Sequence, residues 1–391
     1  MTYSHNAPFR ADVVGSYLRP AELKQARADF AAGAIDAAAL KAVEDRLITE
    51  LVAKQKAAGL HVITDGEFRR GWWHFDFMWG FNGVDHTAAA HRVAFHDEVT
   101  PADTATVTGR ISGENHPFVE HFKFVKQFED EDTVARQTMP SPAQTRFVLT
   151  GNASAYPYDE FYKDDDELTA DIVAAYRQVI ADLYAAGCRN VQFDDCTWTR
   201  LCDKSVRERL GWSDEDALRL QQENLDVINA VIADQPADLA INTHICRGNF
   251  HSTWLSSGGY APVAAKLFGE ENVNAYYLEF DDDRSGDFAP LAEVSGDKKV
   301  VLGLITSRSP RLRIRRPSRR VLRRLPSMCR WSVCACPRSV ASLPPRRAIS
   351  SPRSSSGPRS LSCSPLRRMF GASDSGLPSA FSMHVTVSRH R

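Results

Sequence analysis

Short apolar runs alternate with longer amphipathic stretches over the first 310 residues, a rhythm that predicts strands and helices in turn and a mainly parallel sheet. The spacing predicts strands at Asp12–Tyr17, His61–Asp65, Arg146–Gly151, Asn190–Asp194, Leu239–His244, Ala275–Phe280 and Lys299–Thr306. Ala37–Ala58, Glu167–Ala186 and Asp214–Asp234 carry helical spacing, and Gly59 and Gly187 follow the first two, where helix-ending glycines belong. Strands each followed by helix or loop predict an α/β fold of the (βα)8 TIM-barrel type, one unit short. Residues 80–142 break the rhythm and read as an insertion over one face. The histidines there (His86, His91, His96, His116, His121) lack metal-ligand spacing and are expected to be solvated.

The pattern fails after Pro310, and composition explains how. The body, residues 1–310, holds 30 Lys+Arg against 48 Asp+Glu, whereas residues 311–391 hold 18 Arg, no Lys, one acid (Asp374), 18 Ser and 9 Pro. The charges are −18 and +17, so the near-neutral whole hides two opposite halves. An Arg/Ser/Pro-rich tail cannot bury enough apolar surface to fold and is expected to be disordered. A basic arm for nucleic acid is one reading. The other is a frameshift in a GC-rich gene. Codons for Val333–Ser342 permit, one frame over, Leu-Cys-Leu-Ser-Pro-Gln-Cys-Gly-Phe, which looks like ordinary protein, and the rest of the tail behaves alike. A frameshift accounts better for Arg without Lys in so poorly packable a segment, so strand eight and its helix are expected to be replaced by an out-of-frame tail.

No apolar run approaches membrane-spanning length, and Met1–Gly15 carries no targeting pattern, so a cytoplasmic protein is expected. Cys188, Cys196, Cys202 and Cys246 show no secreted spacing, which points to burial or thiol chemistry.

Polar residues gather at the predicted C-terminal strand ends, where such barrels place their chemistry. In the extended run Asn242–Cys246, His244 and Cys246 share a face, and Glu279 closes the next strand. An imidazole, a thiolate and a carboxylate together suit Zn2+, although a His-x-Cys pair alone is also compatible with plain packing. Ser16 closes strand one, Glu67 strand two and Asp194 strand four. Glu67 and Asp194 can hold an ammonium and Ser16 a carboxylate, or the acids can cap helices and Ser16 can serve a turn. For Asp195 the capping role is preferred.

Val14-Gly15-Ser16, Asp65-Gly66-Glu67, Gln192-Phe193-Asp194-Asp195, His244-Ile245-Cys246, Glu279 and the decoded Pro-Gln-Cys-Gly resemble, in this order, the catalytic barrel of cobalamin-independent methionine synthase, and more closely its single-barrel relatives. The resemblance implies zinc on His244, Cys246, Glu279 and the cysteine lost with the frame. It implies the amino-acid end of homocysteine on Ser16, Glu67 and Asp194, and 5-methyltetrahydrofolate as methyl donor. Where the family has a His before Ser-Pro, this chain has Arg308, which leaves the proton donor unassigned. A corrinoid or another methyl donor, another thiol, and a non-catalytic protein with a nucleic-acid-binding tail stand as alternatives. Loss of strand eight would leave two open sheet edges, so impaired activity is expected.

Overall fold

The computed structural model of the chain describes residues 7–9, 11–88, 95–96, 103–305 and 383–387. Its strands are β1 (Ala11–Val13), β2 (Val62–Ile63), β3 (Asn82–Ala88), β4 (Asp103–Ser112), β5 (Val134–Ala135), β6 (Gln137–Pro140), β7 (Asn190–Asp195), β8 (Ala240–Ile245), β9 (Ala275–Glu279), β10 (Lys299–Ile305) and β11 (Met383–Val387). The α-helices are α1 (Ala21–Ala31), α2 (Ala37–Ala57), α3 (Phe75–Met78), α4 (Pro117–Lys126), α5 (Pro142–Gly151), α6 (Asp165–Ala185), α7 (Thr197–Cys202), α8 (Lys204–Leu210), α9 (Asp214–Ile232) and α10 (Ala264–Glu270).

Parallel pairing joins β2 to β5, and β6 through β7, β8 and β9 to β10. β5 and β6 form one strand interrupted at Arg136, whose N–H still donates to Ile63 O at 3.0 Å. β1 meets β2 through a parallel bridge between Ser16 and Gly66, with Tyr17 N donating to Gly66 O at 3.1 Å. Gly15 (φ 111°) and Gly66 (φ 68°) take the left-handed region that this close crossing requires. The fold is the α/β barrel type expected.

Helices form where periodicity predicts them. α6 buries Leu168, Ile172, Ala175, Tyr176, Val179, Ile180 and Leu183, one face at intervals of three and four, and Asp164 caps it by accepting from Glu167 N at 2.9 Å. Each such Leu or Ile contributes about 1.5–3 kcal/mol on leaving water. α9 opens on a Ser213/Asp216 capping box.

Four expectations are corrected. Arg146–Gly151 is helix and belongs to α5, because Ser141 Oγ accepts from Gln144 N at 3.0 Å and Pro142 takes the first turn. The third barrel strand is β5/β6, which lies inside the stretch 80–142 that reads as an insertion. What stands off the barrel there is the antiparallel hairpin β3–β4 and α4. The third strand escapes notice because the lumen is polar and Arg136 breaks its apolar pattern. Third, His116 is not solvated. It is buried, its Nε2 donates to Phe77 O at 2.9 Å and its Nδ1 accepts from Phe118 N at 3.2 Å. His121 is half-buried, His86 and His96 are exposed, and His91 lies outside the described residues.

The fourth correction concerns the tail. β11 lies between β10 and β1 and pairs antiparallel with both, so those edges are not open. Met383-His-Val-Thr-Val alternates and is rich in β-branched residues, which suits it to an edge that would otherwise leave backbone groups unpaired. An inserted strand from a tail is antiparallel here, where a βα unit would supply a parallel one. The rest of the tail, 311–382 and 388–391, lies outside the described residues, as do Arg308–Pro310. Among the described residues no helix is long and apolar enough to cross a membrane.

The barrel interior is polar and paired. Arg136 donates to Asp12 Oδ2 (3.0 Å), Val13 O (2.7 Å), Gln192 Oε1 (3.1 Å) and the Tyr277 hydroxyl (2.5 Å), and that hydroxyl donates to Asp12 at 2.7 Å. These partners come from β1, β7 and β9, which only the lumen brings together. A buried guanidinium is tolerable because nearly every donor finds an acceptor. This plug forms a floor below the strand ends that carry the candidate site.

Candidate active site

β7, β8 and β9 run parallel in register, so their C-terminal ends lie side by side. His244 near the end of β8 and Glu279 at the end of β9 are buried, and Cys246, just beyond β8, is half-buried. One ligand atom from each of His244, Cys246 and Glu279 lies within 4.8 Å of the others. His244 Nδ1 stands 3.1 Å from Tyr277 O. A carbonyl can only accept, so Nδ1 carries the proton and Nε2 is the ring nitrogen whose lone pair could serve a metal. Glu279 Oε1 accepts from Arg247 N at 3.1 Å, and Cys246 Sγ accepts from Gly248 N at 3.3 Å. The loop after β8 therefore orients two of the three donors through its backbone.

The three donors perturb one another's protonation. Burial works against a charged His244, yet the hydrogen bond and charge of Cys246 and the charge of Glu279 raise its pKa overall. The Cys246 thiol is held well above its ordinary range, first by a hydrogen bond with Cys196 and then by burial. Zinc–ligand distances of about 2.0–2.3 Å put tetrahedral donors about 3.5 Å apart, so small rotations bring these three onto one ion. The N/S/O donor set and the oriented imidazole fit zinc.

The second group of polar residues sits beside the first. Asp194 is the register partner of His244, one strand spacing away. It is buried, and Gln192 Nε2 donates to its Oδ1 at 2.9 Å. Burial, and after it the charge of Glu67, pushes the Asp194 carboxyl well above the usual carboxylate range. Glu67 is buried in a left-handed turn (φ 59°), with Arg19 and Arg70 each 3.5 Å from a carboxylate oxygen. Arg19 also donates to Ser16 Oγ at 3.3 Å. Ser16, Glu67 and Asp194 therefore share one neighbourhood, with Arg19 tying the first two. Asp195 is the structural acid, accepting from Thr197 N and Oγ1, each at 2.6 Å, at the start of α7.

Sequence patterns overlooked Arg19, Arg70 and Arg247, and read Cys196 only as buried or available for thiol chemistry, without its partner Cys246. The two arginines near Glu67 each lie three residues from a predicted site position, Ser16 or Glu67, and charge complementarity could have flagged them. Cys196 follows β7 as Cys246 follows β8, a parallel visible once the two strands are aligned.

The profile of the cobalamin-independent synthase catalytic domain matches residues 9–325. The chain belongs to the cobalamin-independent synthase family. This family member is 42% identical over 303 residues to the uncharacterized protein YxjH of Bacillus subtilis, spanning 77% of this chain and 78% of that protein. A solved structure from Listeria monocytogenes, assigned as a vitamin-B12 independent methionine synthase, is 36% identical with a TM-score of 0.63, covering 81% of this chain and 85% of that one. The methionine synthase of Sulfolobus acidocaldarius is 23% identical over 241 residues, 61% of each chain. The matched region of this synthase-family chain contains every residue of the two groups described above.

Proposed function

We propose that the barrel is a zinc-dependent S-methyltransferase that passes a methyl group from 5-methyltetrahydrofolate, in its polyglutamate form, to the sulfur of homocysteine, giving methionine. The observation that carries this reading is the convergence of His244, Cys246 and Glu279 within 4.8 Å, one strand away from Asp194. Family membership and relatives carrying the name methionine synthase support the chemistry.

His244, Cys246 and Glu279 would hold the ion, and zinc bound there supplies a Lewis acid that keeps a substrate thiol as thiolate at neutral pH. Asp194 and Glu67 take the homocysteine ammonium, whose positive charge restores Asp194 to its carboxylate form. Ser16 and Arg19 take the substrate carboxylate. With the amino-acid end fixed, the sulfur is directed toward β8 and β9, and orientation of this kind removes much of the entropic barrier to displacement. The sulfur lone pair forms the new S–CH3 bond as the C–N5 bond of the folate breaks, and N5 keeps that electron pair and takes a proton.

In this chain the activity is impaired. The frame change after Pro310 removes a parallel eighth strand and the cysteine it would bring, and β11 caps the sheet edges without supplying that thiolate. The test compares the chain as it stands with a version whose reading frame is restored after Pro310. Both should bind one zinc, the restored form more tightly. Methionine should form from homocysteine and 5-methyltetrahydrofolate at a substantial rate in the restored form only. Stoichiometric zinc without turnover on the folate would overturn the donor assignment, and absence of zinc from both would overturn the metal site.

A further inference from the structure

β7 and β8 end together, and each is followed by a cysteine. Their last paired residues are Asp195 and Ile245, so Cys196 and Cys246 are the next residues on neighbouring strands. The backbones stay joined beyond the ladder. Cys246 N donates to Asp195 O at 2.7 Å, and the single hydroxyl of Thr199 reaches Cys246 O at 2.7 Å and Cys196 O at 3.3 Å. Neighbouring strands lie about 4.8 Å apart, inside the range of roughly 4.4–6.8 Å between α-carbons that a disulfide spans. Cys196 is buried and Cys246 is half-buried, so a reagent from solution meets Cys246 first. Cys188 differs, its thiol directed at Asn190 O.

We propose that Cys196 and Cys246 form an oxidisable dithiol, which a low-molecular-weight disulfide such as oxidised glutathione converts to an intramolecular disulfide. In the first step Cys246 Sγ attacks a glutathione sulfur, forming a mixed disulfide and releasing one glutathione thiol. Cys196 Sγ then displaces the second glutathione. Two cysteine thiols are oxidised, one glutathione disulfide is reduced to two thiols, and both protons leave on those thiols. Thr199 ties the backbones of the two cysteines together, which favours the internal link over a lasting adduct. The link itself is independent of the proposed function. Its consequence rests on that reading, because a disulfide at Cys246 removes one of the three donors to the metal.

The experiment treats the full chain, stripped of metal, with oxidised glutathione and maps peptides without reduction. The expected product joins the peptides containing Cys196 and Cys246 and is two hydrogens lighter than their sum. Cys196→Ser and Cys196→Ala should stop at a glutathione adduct on Cys246. Loading zinc first should slow the link at least about tenfold, since a coordinated thiolate is shielded from attack. A lasting adduct on Cys246 in the unsubstituted chain, or links from Cys246 to the tail cysteines in place of Cys196, would overturn the proposal. A link that forms at the same rate with and without zinc, in protein that binds none, supports the dithiol and overturns the metal reading.

Discussion

Arg136 and Asp12 form an ion pair across the barrel lumen at 3.0 Å, both side chains fully withdrawn from solvent. It ties the third strand to the first, and Tyr277 adds the strand that carries Glu279. Breaking one partner of such a pair leaves a buried charge, a loss of about 3–5 kcal/mol. Arg136→Met should therefore lower the urea midpoint sharply. Arg136→Met with Asp12→Asn should recover much of that loss, and a fully additive double variant would show that the pair is uncoupled.

Asp194 makes stability fall with pH. Burial and the charge of Glu67 raise its folded pKa above the ordinary 3.8. The folded chain therefore holds a proton where the unfolded chain has lost it. That contribution is complete below about pH 3.8 and declines as pH rises toward the folded value. Asp194→Asn should flatten this decline and raise the thermal midpoint at neutral pH, while homocysteine binding measured by calorimetry weakens.

His116 acts in the opposite direction. Burial, partly offset by the Phe77 carbonyl, lowers its pKa to about 4 from 6.5. Its stabilisation is complete above pH 6.5 and is lost as pH falls toward 4, up to about 3 kcal/mol. Protonation also destroys the Nδ1 acceptor that caps α4. His116→Asn, which can still cap, should shallow the acid limb of a stability–pH curve.

Glu279→Gln keeps the acceptor for Arg247 N but removes the anionic donor. Zinc affinity in a chelator competition should fall at least about 100-fold. The denaturation midpoint of the metal-free protein should hold or rise, because a buried carboxylate has been neutralised.

Deleting residues 311–391 removes β11 and exposes the edges of β1 and β10. Size-exclusion chromatography should show concentration-dependent association. A monodisperse deletion variant would mean that β11 does not protect those edges.

The sequence by itself determined the βα rhythm, the helices α2, α6 and α9, and the strand-end placement of His244, Cys246, Glu279, Asp194 and Ser16. Each follows from local periodicity: an amphipathic helix repeats every three to four residues, and a strand ending in polar residues announces itself within six. Tertiary structure decided what no local window contains. The third strand is legible only once Arg136 is seen to meet Asp12 and Tyr277 across the lumen, because a polar interior erases the apolar signal. The adjacency of Asp194 to His244, and of Cys196 to Cys246, depends on strand register, which joins residues 50 apart in the chain. Tail residues 383–387 lie between β1 and β10 for a similar reason. Backbone hydrogen bonds at a sheet edge select for an extended segment wherever the chain can supply one.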